Sequence, residues 1–355
     1  MNTTDASKWL VWNDHETGNT MKMTKIFVFL LLLLPISLWA QKDNQQKLAQ
    51  TGMKFLAASP DPRAAGLGDA ISALEGGAEM MFYNPAGMAN MGGKLSASFG
   101  QMAWIADINY NLAGVAFKAG NIGTFGVSVM NVDYGEIQAT VRANNDRGYL
   151  DLPNSIHPVA MSVGLSYARS LSDRFAIGGS VKRVTQDLGS AATQFDKTLG
   201  DYVYESYKQT VMAYDFGVLY KTGFKSLQFA FNARNFAKEI KYEEETFQLP
   251  LSMRMGISMD LLDFSALGSD HNLLLSVDAE HPRDFPEVLK VGTEYSFRNL
   301  LSLRAGYAFP SDQQGLTFGG GVQLKRGDRK VQADYSYTQF GIFNAVQRIG
   351  IKIGL

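Results

Sequence analysis

A chain of 355 residues is long enough for two soluble domains or one large all-β unit, and the absence of cysteine excludes disulfide frameworks, thiolate metal sites and thiol nucleophiles. A formal net charge of -1 without a long basic run removes the electrostatic footprint that a nucleic-acid partner needs. A mean hydropathy of -0.10 beside 35 Gly, 15 Tyr and 22 Phe is too polar for a helical membrane protein, yet it suits a barrel, in which only every second strand residue faces hydrocarbon.

Residues 1–20 are polar and precede Met21 and Met23, so they are read as an over-extended start and excluded from the fold. Over 21–40, Lys22 and Lys25 lead a short apolar run that Pro35 interrupts and Ala40 ends, the layout of a signal peptide cleaved before Gln41. A membrane-spanning helix needs about 20 apolar residues, and this run is shorter.

Residues 41–93 do not alternate and are rich in Gly, Ala and Pro, which predicts short helices and turns. The stretch is longer than a tether requires. Folded into a barrel lumen as a hatch, it would bury Leu67, Ile71, Met80, Met81 and Phe82. Two motifs stand out in it. Arg63 precedes Ala64, Ala65, Gly66, Leu67, Gly68 and Asp69, where small residues let backbones approach closely and the guanidinium can meet a lumen carboxylate. Asn84, Pro85, Ala86 and Gly87 read as a turn, with Asn capping and Pro fixing direction. Both motifs are read first as holding the hatch; contact with cargo is the other reading.

From residue 94 to 355 the period is two. Leu251, Met253, Met255, Ile257 and Met259 alternate with Ser252, Arg254, Gly256, Ser258 and Asp260, which gives an apolar and a polar face. The alternation places about fourteen strands near 94–102, 108–118, 122–133, 159–171, 174–187, 209–221, 225–235, 250–261, 271–280, 288–298, 301–309, 315–326, 330–339 and 346–355. Their lengths suit the roughly 9–11 residues of a tilted transmembrane strand. Short turns at 118–121, 170–173, 221–223, 298–299 and 325–329 alternate with longer connections at 134–157, 188–208, 236–249, 281–287 and 340–345; only 262–270 breaks the rhythm. Outer-membrane barrels alternate short periplasmic turns with longer extracellular loops in this way, which a β-sandwich has no reason to do. Aromatics near strand ends (Trp104, Tyr110, Tyr134, Tyr220, Phe224, Tyr307, Phe309, Tyr337 and Phe340) are expected in interfacial girdles. The fold class is thus all-β: an antiparallel transmembrane barrel of about fourteen strands with the hatch in its lumen.

Catalytic and cofactor chemistry has no local signature. His15, His157, His271 and His281 lack ligand-like spacing, and there is no nucleophile elbow, phosphate loop or paired-His motif, so no catalytic residue, metal or cofactor is assigned. A lipid hydrolase assembling Ser and His across strands would leave no such motif and stays an alternative. The acidic run at 241–246 reads as a solvated loop surface.

The hatch carries a resemblance. Lys54-Phe55-Leu56, the run from Ala58 to Ala70, and Phe82-Tyr83-Asn84-Pro85-Ala86-Gly87 resemble the PorV/PorQ family, and Asn-Pro-Ala-Gly is shared with FadL-like barrels. The resemblance implies a fourteen-stranded barrel with an N-terminal hatch, acting in the outer membrane of Bacteroidota as a non-enzymatic component of type IX protein secretion. Its partners would be secreted proteins bearing C-terminal secretion domains and other secretion components, with outer-membrane lipid and lipopolysaccharide around it. The longer loops would supply the partner surface, with Tyr202, Tyr204 and Tyr207 as contacts or, equally, as an interfacial belt. The alternative is a FadL-like passive channel for long-chain fatty acids or other hydrophobic small molecules.

Overall fold

The computed structural model describes residues 51–355 except 197, 199, 243, 266–269 and 311–313. The expected over-extended start, signal peptide and first residues of the hatch lie outside the described residues. Fourteen strands form a closed barrel: β1 Leu95–Ala103, β2 Asn109–Lys118, β3 Thr124–Asp133, β4 Val159–Ser170, β5 Phe175–Asp196, β6 Asp201–Lys221, β7 Gln228–Ala237, β8 Ser252–Asp260, β9 His271–Pro282, β10 Val288–Phe297, β11 Leu301–Phe309, β12 Thr317–Arg326, β13 Arg329–Thr338 and β14 Val346–Gly354. Every neighbour is antiparallel, and β1 closes the ring on β14 in a register running from Ser96 opposite Gly354 to Ala103 opposite Gln347. Closure leaves no strand edge with unpaired backbone groups, which a sheet in hydrocarbon could not tolerate.

Alternation builds the wall. On β8 Met253, Met255 and Ile257 are exposed outward while Ser252, Arg254 and Ser258 are buried inward; on β4 Met161, Leu165 and Tyr167 face out and Ala160, Ser162 and Ser166 face in. Leu303, Leu165 and Met255 are 67%, 65% and 65% exposed, an apolar belt whose natural solvent is lipid.

Residues 51–93 fold as short 3-10 turns at Lys54–Ala57, Ala78–Phe82 and Pro85–Met88 around one α-helical turn, α1, Pro62–Gly66. Their position follows from glycines. A Cβ added to inward Gly114 or Gly126 would meet Met81; at Gly178 or Gly217 it would meet Asn84 to Ala86; at Gly256, Ser72 and Ala73; at Gly292 or Gly306, Leu67 and Gly68; at Gly319, Gly66; at Gly350, Pro62. Those strands encircle the barrel, so one segment touching all of them lies inside it. Met53, Phe55, Leu67, Ile71, Met80 and Met88 are buried there with Met102, Tyr110, Leu112, Met130, Val132, Phe340 and Val346, which are inward residues near the ends of β1, β2, β3 and β14 that carry the longer loops.

Three expectations need correction. The connection expected at 188–208 is largely strand: β5 and β6 run 22 and 21 residues and stay paired to Asp196 opposite Asp201, with register shifts at Asp187/Ser190 and Ala192/Gln194. At about 3.3 Å per residue that hairpin far outreaches the roughly 9–11 residues that cross a bilayer. Beyond the bilayer both its faces meet water, and the apolar period vanishes although the strand continues. The second concerns the girdle: Tyr110 and Phe340 are 4% and 7% exposed, and Trp104 packs edge-on against both at 6.1 and 4.8 Å, so this trio caps the interior core instead of facing lipid. Tyr220, Phe224, Phe309 and Tyr337 are outwardly exposed. Third, the 134–157 connection contains its own hairpin, Ile137–Arg142 with Tyr149–Ile156.

Candidate functional site

The interior contact between residues 51–93 and the wall is built from caps and charge pairs. Asp61 caps α1 by accepting from the Ala64 amide at 3.0 Å, and Pro62 at the first helical position has no amide to leave unpaired. The cap turns Arg63 toward β10, where Nε and Nη2 donate to the two carboxylate oxygens of Glu294 at 3.0 and 2.8 Å. Glu294 also pairs with Arg304, whose Nη1 reaches Asp334 at 2.7 Å. Lys352 joins the chain at 3.1 Å from Asp61, 3.7 Å from Glu79 and 3.9 Å from Asp334. Burial pushes the Glu79 carboxyl up, but Lys352 and Arg63 outweigh it and hold the group below its ordinary value.

Gly68 and Asp69 follow α1 with φ of +62° and +65°, a left-handed turn that returns the Asp69 amide to the Ala64 carbonyl at 2.8 Å. Gly66 abuts Gly319, and Gly68 lies against Gly306 and the Tyr307 amide, where no side chain would fit. Asp69 lies 3.8 Å from Lys290, which pairs at 2.6 Å with Glu280, itself bound by Arg254 at 3.0 Å. Farther along, the Asp278 carboxylate accepts the amides of Ile71 and Ser72 at 3.2 and 3.0 Å.

Asn84 works on both sides. Its Oδ1 accepts from the Ala86 amide at 3.1 Å, while Nδ2 donates to the carbonyls of Ser72 and, in β6, Val218 at 2.8 and 3.2 Å. Pro85 begins the next turn, and the Gly87 amide donates to the Asn84 carbonyl at 3.0 Å while its own carbonyl accepts from Gly76 at 3.1 Å. Arg63, Gly66, Gly68 and Asp69 thus share one wall, β10 to β12, and Asn84, Pro85 and Gly87 occupy another, β5 and β6. Sequence reasoning missed the wall partners Glu280, Glu294, Arg304, Asp334 and Lys352. Arg304, Asp334 and Lys352 are charges between apolar strand neighbours, as Lys352 is between Ile351 and Ile353, and that interruption was the available signal for these three.

Two interior cavities of about 270 and 250 Å³ lie on the short-turn side of this network. Both are lined by Arg63, Lys330 and Gln332, the first also by Glu294 and Arg304 and the second by Glu79 and Lys352. Among the described residues no group of three or more His, Cys, Asp or Glu is placed to hold a metal ion.

At the opposite end the β5–β6 hairpin presents Phe195, Val203 and Tyr204, each well exposed, and Tyr202 packs edge-on against Phe195 at 5.1 Å. Tyr202 and Tyr204 share the strand face that carries Met212 and Phe216 outward lower down, whereas Tyr207 belongs to the other face. The three tyrosines do not form one patch.

Comparison with known proteins adds the following. The family described as "Type IX secretion system protein PorV" matches residues 41–276. No curated protein matches the sequence. Among solved structures, the toluene transporter TbuX of Ralstonia pickettii aligns with a TM-score of 0.55 at 12% identity over 82% of this chain and 97% of its own. The Pseudomonas putida toluene transporter TodX gives 0.54 at 13% identity over 82% and 96%, and a Pseudomonas aeruginosa FadL homologue 0.50 at 11% over 83% and 97%. At such identities the likeness is one of fold, and it is to FadL-type barrels.

Proposed function

The chain belongs to the PorV family of type IX secretion system proteins, and from that premise we propose that its extracellular end receives the C-terminal secretion domains of exported proteins. It is an outer-membrane barrel of type IX secretion. The observation that carries the finer reading is the β5–β6 hairpin, a paired ribbon standing clear of the bilayer with Phe195, Val203 and Tyr204 exposed along it. Exposed aromatics on a rigid scaffold supply contact area at small entropic cost, as interface hot spots require. On this reading the segment up to residue 93 is a fixed hatch, and a signal peptide ending at Ala40 delivers the chain for export. The protein has no enzymatic role in the reading; it binds.

A passive channel for hydrophobic molecules is the second reading, favoured by the likeness in fold to barrels titled toluene transporters. The interior opposes it. The cavities that remain beside the hatch are walled by Arg63, Glu294, Arg304, Glu79 and Lys352, groups a hydrocarbon would strip of solvation without replacing it. Affinity purification of the detergent-solubilised barrel, followed by mass spectrometry of what it holds, separates the two. Secreted proteins sharing a C-terminal domain are expected. Recovery of fatty acids alone, with the secreted proteome intact after gene deletion, would point to transport.

A further inference from the structure

The outer wall is not uniformly convex. On β12 the lipid-facing positions are Phe318, Gly320, Val322 and Leu324, and Gly320 leaves a gap in that row, opposite Leu303 on β11 and Tyr335 on β13. The result is an apolar groove of about 770 Å³ lined by Tyr295, Leu303, Val322, Tyr335 and Ile349 around the missing side chain. A Cβ built on Gly320 meets only the Ser302 carbonyl oxygen, at 3.8 Å, so the gap is open on its outer side.

The same face carries a second anomaly. Six residues further along β12, Arg326 stands on the outward row and pairs in register with Arg329 of β13, across the tight turn Gly327-Asp328. Like charges directly opposed across strands destabilise a sheet unless something lies between them. Neither guanidinium forms an ion pair with a carboxylate among the described residues. That turn is one of the short ones, on the periplasmic side, so the arginines stand at the level of the inner-leaflet headgroups. From them to Gly320 the strand covers roughly 20 Å at about 3.3 Å per residue, a distance an acyl chain spans while running down the groove.

We propose that this face is a binding site for one inner-leaflet glycerophospholipid, with its phosphate between Arg326 and Arg329 and an acyl chain in the Gly320 notch. The guanidinium pair supplies planar, charge-assisted donors to phosphate oxygens, which also removes the repulsion between them. The notch supplies a concave apolar bed where the rest of the belt is convex.

The test uses the full chain reconstituted into vesicles of phosphatidylethanolamine and phosphatidylglycerol, re-extracted in mild detergent and weighed by native mass spectrometry. Wild type is expected to carry phospholipid through extraction. Arg326→Gln with Arg329→Gln, and separately Gly320→Leu, which fills the notch without a clash, are each expected to retain about tenfold less. Heat-modifiable gel mobility confirms that both variants are folded barrels. Retention equal to wild type in either variant overturns the proposal. So does displacement of the phospholipid by added lipopolysaccharide, which would assign the face to the other leaflet's chemistry.

Discussion

Arg63 of the hatch and Glu294 of β10, 231 residues apart in sequence, meet in a two-pronged pair with Nη2 and Nε at 2.8 and 3.0 Å from the two carboxylate oxygens. The guanidinium is mostly buried and the carboxylate almost wholly so, at 19% and 9% exposed. Losing Arg63 therefore takes one of two guanidinium partners from a buried carboxylate, which Arg304 still serves, in a medium that solvates it poorly. Arg63→Met is expected to destabilise the folded barrel by about 1.5–3 kcal/mol, read as a lower temperature at which the gel mobility shifts to the unfolded form. Because Glu294 serves both arginines, the reverse change Glu294→Gln takes from Arg63 the carboxylate it grips and leaves Arg304 to Asp334, and is expected to cost at least as much. An unchanged midpoint in both variants would mean that the pair holds nothing.

Close approach gives a second prediction. A Cβ on Gly217 would lie 1.9 Å from Asn84 Oδ1, and one on Gly178 would lie 2.5 Å from the Ala86 amide nitrogen. Gly217→Ala is expected to expel the Asn84–Met88 turn from its seat, at a cost of about 1–3 kcal/mol, and to make residues 84–88 cleavable by added protease. Gly92→Ala, where nothing lies within 4 Å, is the matched control and should stay resistant.

How far the sequence disclosed this molecule depends on where each residue's solvent changes. All fourteen barrel strands were legible because one face meets lipid and the other a polar interior, so Met253, Met255 and Ile257 separate cleanly from Ser252, Arg254 and Ser258. Where that contrast fails, so did the reading. The outer half of β5 and β6 has water on both faces and lost its period. On β2, inward Tyr110 and Leu112 are as apolar as outward Val115 and Phe117, because the hatch places an apolar core against that end of the wall. The alternation there slips phase, and Tyr110 was misread as facing lipid. Of the hatch contacts, α1's cap and the Asn84 turn are local and could be read, whereas Glu294, Asp334 and Lys352 reach it only through barrel closure.

The partner surface yields a third prediction. Tyr204 is exposed and Tyr202 leans on Phe195, so neither supports the barrel below. Tyr202→Ala and Tyr204→Ala are each expected to weaken binding of a secreted C-terminal domain by at least about 1 kcal/mol, roughly fivefold, in a titration against the solubilised barrel. The unfolding midpoint should stay at its wild-type value. Tyr207, on the other face of β6, is expected to have a smaller effect; equal losses at all three positions would argue for a general collapse of the hairpin.

Leu165 offers the most direct test of which face meets lipid. It lies in the middle of β4, 65% exposed, flanked along the outward row by Met161, Val163 and Tyr167, while its neighbour Ser166 points inward and shares a hydrogen bond of 2.7 Å with Ser180 of β5. In a soluble protein Leu165→Arg would be close to neutral or even helpful, because it would replace an exposed apolar group with a hydrated one. In a bilayer the same change carries a cation to the depth where it is most expensive, about 2–4 kcal/mol near the midplane and falling to roughly 0–1 toward the interface. Folding into vesicles at graded urea should therefore show Leu165→Arg destabilised by that larger amount. Leu171→Arg, just past the periplasmic end of the same strand and 57% exposed, should be nearly silent. The depth dependence is the discriminating result, since misfolding from any general cause would penalise both positions alike.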